Sequence, residues 1–193
     1  MRTATLLIVD DDPIIRLELR TTLATIGYRI AGEADTGMQA LTLARTIKPD
    51  VVLMDIVLPQ VSGLEVARTL MTERVAPVVL FSGNASPEVI AQADAAGVMG
   101  FLSKPLRNSD LGPAIAIAMA RFHELVELET EVRSLNERME ARKLVGRAKA
   151  ILMEKHGLTE REAFYRIQSQ STALNRPVHE IAKAIITASE IPT

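Results

Sequence analysis

The chain has 193 residues, 48% of them apolar, a net charge of −2 and no cysteine. That length suits one or two domains, and the missing thiols exclude disulfides and thiolate metal sites, in agreement with a reducing cytoplasm. No apolar run reaches the length of a membrane span, and the opening MRTATLLIVDDD lacks the long apolar stretch and cleavage site of a secretory leader, so a cytoplasmic chain without membrane attachment is expected.

TLLIV (5–9) predicts the first strand, which runs into three carboxylates, Asp10, Asp11 and Asp12, and then Pro13. Asp before Pro fits an N-cap followed by the first helical position. Asp12 is therefore expected to open the helix IIRLELRTTLATIG, which Gly27 closes. Further strands are predicted at YRIAGE (28–33), VVLM (51–54), PVVLF (77–81) and VMGFL (98–102). Helical patterns separate them: GMQALTLARTI, LEVARTLM and PEVIAQADAAG, the last ending at Gly97. Five strands alternating with helices predict βαβ units and a parallel sheet. Consecutive apolar residues, as in VVLM, suit strands covered by helices on both faces.

After Ser109 the strand signals stop. A long helical pattern follows, with Asn108, Ser109 or Asp110 available to cap it. Within it Leu125, Leu128, Val132, Leu135 and Met139 recur at 3-4-3-4 spacing, the seam of a dimeric coiled coil. The alternative is one amphipathic helix packed on its own domain. His156-Gly157 ends this pattern. Thr159 then caps another helix, with Glu162 completing a capping box. Asn175-Arg176-Pro177 breaks that helix, and Val178, Ile181, Ala182, Ile185 and Ile186 form the apolar stripe of a final one. Charge is uneven: residues 142–193 carry nine Lys and Arg against five Asp and Glu, whereas residues 122–141 carry two against six. A basic segment behind an acidic one points to an anionic partner, or simply to a charged surface.

In an open parallel sheet, ligands bind beyond the carboxyl ends of the strands, near the switch in strand order. With order 2-1-3-4-5, Asp10 and Asp11 end one strand, Asp55 its neighbour, Ser82 the next, and Lys104 follows the last. Neighbouring carboxylates repel unless a cation joins them. Mg2+ suits this set, because it takes oxygen ligands and retains water; Asp10 and Asp11 hold it directly or through water. Asp55 can then act as a nucleophile toward phosphorus. Phosphoryl transfer needs positioning and charge neutralisation, which Lys104 and the Ser82 hydroxyl supply.

The motifs DDDP, MDIVLP followed by SGLE, FSG and LSKP resemble the receiver domain of two-component response regulators over residues 4–121. The resemblance implies a flavodoxin-like, doubly wound α/β fold with five parallel strands. It implies that a sensor histidine kinase phosphorylates Asp55 with Mg2+ bound by Asp10, Asp11 and Asp55, and that Ser82 and Phe101 relay the change. Phe101 is alternatively a plain core residue. A cis Lys104-Pro105 bond is also implied. Val57, two residues after Asp55, offers no polar group to position attacking water, so a long-lived phosphorylated state is expected.

Three outputs compete for the C-terminal helices. LTEREA followed by HEIAKAI has a helix-turn-helix flavour, but after Ala182 only 11 residues remain for the recognition helix that DNA binding needs. A protein-interaction tail is the second. RAKAILMEKHGLTEREAFYRIQSQSTALNRPVHEIAKAI resembles the ANTAR domain of antitermination regulators, through Ala148, Lys149, Leu152, Met153, His156-Gly157, Glu162-Ala163 and Ile181-Ala182. This resemblance implies a homodimer that binds paired stem-loops in nascent messenger RNA leaders and prevents termination. Arg142, Arg147, Lys149, Arg166, Arg176 and Tyr165 are the candidate RNA contacts. Of the adjacent Phe164 and Tyr165, one is expected in the core, with Tyr165 the more exposed; Met139 and Met153 are expected to pack. The expected domains are a receiver (1–121), a coiled-coil linker helix (122–141) and a three-helix RNA-binding domain (142–193). The chain is expected to accept phosphoryl groups without being an enzyme, apart from slow autodephosphorylation.

Overall fold

A computed structural model describes residues 3–190 and divides the chain into two compact units, Met1–Glu127 and Leu128–Thr193. In the first unit, β1 (Thr5–Val9), α1 (Pro13–Thr25), β2 (Arg29–Ala34), α2 (Gly37–Ile47), β3 (Val51–Asp55), α3 (Gly63–Thr72), β4 (Val78–Ser82), α4 (Pro87–Ala95) and β5 (Gly100–Ser103) alternate regularly. The five strands form one parallel sheet in the order β2-β1-β3-β4-β5. The fold is the doubly wound α/β architecture expected from the sequence.

The three central strands are buried at every position, which is why they read as unbroken apolar runs. Alternate residues feed two cores. Leu7, Val9, Val52, Met54, Val78 and Leu80 pack with residues of α2 and α3, including Ala40, Val66 and Leu70. Leu6, Ile8, Leu53, Val79 and Phe81 face the opposite way, against Leu19 and Leu23 of α1 and Leu111 and Ile115. Helix starts follow local chemistry: Asp12, Thr36, Ser62 and Ser86 each cap a helix by accepting a backbone N–H. Gly27 and Gly97, with φ of 91° and 75°, follow the ends of α1 and α4. β5 begins two residues later than the apolar run 98–102, because the Val98 N–H turns back to the Ala93 carbonyl and closes α4.

The helix α5 runs without interruption over Asn108–His156, 49 residues, and belongs to both units. Asn108, Ser109 and Asp110 all lie inside its first turn rather than before it. In the second unit its end packs with α6 (Glu160–Leu174) and α7 (Val178–Glu190). Gly157 (φ 63°) ends α5, the Thr159–Glu162 capping box starts α6, and Asn175 (φ 50°) ends it. Ala148, Leu152, Ala163, Ile167, Ile181, Ala182 and Ile186 form the core of this unit, joined by the half-buried Val178 and Ile185.

Candidate functional site

At the carboxyl edge of the sheet the strand registers bring four chemistries together. Val9 pairs with Met54, Asp55 with Phe81 and Ser82 with Ser103, so the residues just beyond are neighbours across the sheet. Asp10, Asp55 and Ser82 are buried, and Asp11 is exposed. The Lys104 Nζ donates to Asp55 Oδ2 at 2.6 Å and to Asp10 Oδ2 at 3.0 Å. Asp10 Oδ1 accepts the Asp12 N–H at 2.8 Å, and Asp55 Oδ1 accepts the Val57 N–H at 3.2 Å. Ser82 Oγ accepts the Asn84 N–H at 3.1 Å, leaving its own O–H to donate. Asp12 caps α1 through the Ile14 N–H at 2.8 Å, the role expected of it.

Electrostatics within the cluster are unequal. Burial pushes the Asp10 carboxyl above its ordinary value of 3.8, although the Asp12 N–H and Lys104 pull the other way. Burial would lower the Lys104 ammonium, but its hydrogen bonds to Asp55 and Asp10 outweigh that and raise it above 10.5. One cation thus balances two buried carboxylates. Carboxylate oxygens of Asp10, Asp11 and Asp55 lie within 4.8 Å of one another. An all-oxygen set with one exposed member fits a hard divalent ion such as Mg2+.

Gly63 is a positioning residue that the sequence reading passed over. A Cβ there would stand 2.0 Å from the Asp55 carbonyl oxygen, and the Gly63 N–H bonds the Ile56 carbonyl at 2.9 Å. Only a residue without a side chain lets α3 start against the end of β3. Its sequence signal was the Gly of SGLE. Phe101 is half-buried against the α2–α3 core. The Lys104–Pro105 bond is cis. Val57 is 70% exposed.

The candidate RNA contacts are not gathered into one place. Arg142 and Lys149 line a groove with Phe164 and His179. Arg166 lines a different one, with Lys155 and His156. Arg147, Arg176 and Tyr165 are exposed, and neither groove includes them. Phe164 is 44% exposed, so neither it nor Tyr165 is core, contrary to the expectation for one of them. The reason is helical phase: Ala163 and Ile167 point into the core, which puts Phe164 on the flank and Tyr165 on the far side. Met153 and Met139 are likewise exposed, because Ala148 and Leu152 occupy the packing face of α5. Leu128, Val132, Leu135 and Met139 are each more than half exposed, and Leu125 is half-buried. No helix among the described residues is long and apolar enough to cross a membrane.

Comparison with known proteins agrees with this geometry. Residues 6–116 match the response regulator receiver domain, and residues 133–186 match the ANTAR domain. The transcriptional regulatory protein PdtaR of Mycobacterium tuberculosis is 40% identical over 186 residues, covering 96% of this chain and 91% of PdtaR. The chemotaxis protein CheY of Thermotoga maritima is 32% identical over 110 residues, 56% of this chain and 92% of CheY. Among solved structures, the receiver domain of the response regulator NarL of M. tuberculosis superposes with a TM-score of 0.60 at 28% identity, covering 62% of this chain and 98% of that one. A buried aspartate held by a lysine at the end of the third strand of such a sheet, followed by an ANTAR match, leads to one conclusion: the chain belongs to the response regulators, as a transcriptional regulator with an N-terminal receiver domain and a C-terminal ANTAR domain.

Proposed function

We propose that a sensor histidine kinase phosphorylates Asp55, and that this controls binding of the C-terminal helices to stem-loops in nascent messenger RNA leaders, so that transcription termination is prevented. The observation that carries the reading is the pairing, in one chain, of a buried Asp55 bonded to Lys104 beside Asp10 and Asp11 with a helical unit matching the ANTAR domain. Asp10, Asp11 and Asp55 hold Mg2+, which when bound neutralises charge on the phosphoryl group. A carboxylate oxygen of Asp55 bonds to phosphorus as the phosphorus–nitrogen bond of the kinase phosphohistidine breaks. Lys104 exchanges Asp55 for a phosphoryl oxygen, and the Ser82 hydroxyl donates to another. Phe101 responds to the shift at Ser82. The apolar Val57 leaves attacking water without a positioning group, so phospho-Asp55 persists, and its half-life shortens in Val57→Asn.

Residues 1–121 act as receiver, 122–141 as coiled-coil linker and 142–193 as the RNA-binding domain. The exposed stripe of Leu128, Val132, Leu135 and Met139, with Leu125 at its head, pairs two chains into a homodimer on activation. Two linked RNA sites then gain avidity without new contacts. Arg142, Arg147, Lys149, Arg166, Arg176 and Tyr165 supply contacts to phosphates and loop bases. The protein works in the cytoplasm and accepts a phosphoryl group rather than turning over a substrate.

The test is crosslinking in cells followed by sequencing of bound RNA, in wild type and Asp55→Ala. A few leader transcripts with paired stem-loops, depleted in the variant, are expected. Enrichment indifferent to Asp55 removes the phosphorylation control. No enriched RNA while the kinase is active removes the RNA function.

A further inference from the structure

We propose that the groove between the end of α5, the start of α6 and the first turn of α7 receives one unpaired RNA base, stacked on Phe164, with the flanking phosphates held by Arg142, Lys149 and His179. The proposal rests on the RNA-binding reading and gives that function a seat.

Three observations converge there. The groove encloses about 470 Å³ and is lined by Val145, Val178 and Phe164 as well as the three cationic or imidazole side chains. That volume falls within the range of about 300–1,000 Å³ typical of small-ligand sites. Phe164 is 44% exposed and stands outside the small core of its unit. An aromatic ring left on the wall of a groove that Arg142 and Lys149 also line is the combination that unpaired bases stack upon. At Gly146 a Cβ would meet nothing within 4 Å, so the groove is open along the α5 side, as a strand passing through it requires.

The charges fit an anion that enters from outside. Neither Arg142 nor His179 is in an ion pair among the described residues. Lys149 does have a partner: its Nζ bonds Glu160 Oε1 at 2.6 Å, and the Glu160 side chain is 71% exposed. This carboxylate stands where a phosphate would be held, and solvent can receive it when displaced. Glu160 therefore competes with RNA for Lys149 and tempers non-specific binding. The opening residues of α7 form one wall, and the positive end of a helix adds to the pull on phosphate. The second groove, about 240 Å³, has no Phe, Tyr or Trp, and its Lys155 already donates to the Ser189 carbonyl at 3.0 Å. It carries no comparable case.

The experiment uses the full chain with a phosphodonor, and as probe a pool of RNA hairpins with randomised loops. Hairpins retained by the wild-type protein are then measured against Phe164→Leu, Phe164→Trp and Glu160→Gln. Leucine keeps apolar volume and removes the stacking face, so binding is expected to weaken about fivefold or more, with melting unchanged. Tryptophan is expected to keep or restore the affinity. Loss of the Glu160 charge is expected to tighten binding about two- to fivefold. A Phe164→Leu protein that binds within about twofold of wild type overturns the base seat while leaving RNA binding intact. A wild-type protein that retains no hairpin overturns both, and moves a protein partner to this groove.

Discussion

The two units solve the burial problem in opposite ways. In the receiver, the three central strands are buried throughout, and the two faces of the sheet carry separate apolar cores. That mass of buried apolar surface tolerates Asp10, Asp55 and Ser82 in its interior. The C-terminal unit has one small core, aliphatic throughout, with no buried polar or charged side chain among the described residues. Its chemistry sits outside, on grooves and flanks. Buried charge is tolerable only where it is hydrogen-bonded and where the surrounding fold is stable enough to hold it there. The small C-terminal unit meets no such demand, because its charges lie at the surface.

The most decisive way to break the comparison is Asp55→Asn. Phosphoryl transfer from a small-molecule donor is expected to vanish, measured as the phosphoryl mass increment on the intact protein. An increment that survives would place the acceptor elsewhere. Next comes Ile167→Ala, at the centre of the small core. Its expected cost is about 2–5 kcal/mol, enough to unfold a unit of this size. Hydrogen exchange should then show the amides of α6 and α7 opening while those of β1, β3 and β4 stay protected. Uniform loss across both units would mean that they fold as one.

Mg2+ sharpens the electrostatic half of the contrast. A cation at Asp10, Asp11 and Asp55 relieves the charged form of a carboxyl that burial disfavours. The receiver is therefore expected to gain about 2.7 kcal/mol of stability at a hundredfold excess over Kd, read as an upward shift of its melt. The C-terminal melt should stay put. An Asp10→Asn protein should show little of the gain, and an equal gain there would remove Asp10 from the site. Thr159→Ala takes away one half of the capping box and is expected to cost the C-terminal unit about 1 kcal/mol. Val132→Asp has the smallest effect on the single chain, within about 0.5 kcal/mol, because the side chain is exposed. The same change is expected to abolish the dimer in light scattering after phosphorylation. A dimer that persists would locate the interface away from the seam.

Legibility differed between the units as well. The cluster at the sheet edge was readable because β-strands end abruptly, and each functional side chain lies within a few residues of a strand end. Once the strand order was expected, Asp10, Asp55, Ser82 and Lys104 had to be neighbours. In the helical unit, the apolar stripes of α6 and α7 were readable, but the basic residues were dispersed. Helical phase sends neighbours in sequence to different faces. Arg142 and Arg166 also come from different helices and line separate grooves.

By itself the sequence determined the five-stranded α/β alternation, the caps that open α1 and α6, the carboxylate–lysine constellation and the apolar stripes. These are local or periodic properties, set by turn chemistry and by repeats of two and 3.6 residues. Tertiary structure alone decided that Gly63 had to lack a side chain, since the obstacle is a carbonyl eight residues earlier in the chain. It also decided that Phe164 would remain on a groove wall beside His179, a residue from another helix. Such facts depend on which surfaces meet when elements pack, and no repeat or motif within a single element encodes that meeting.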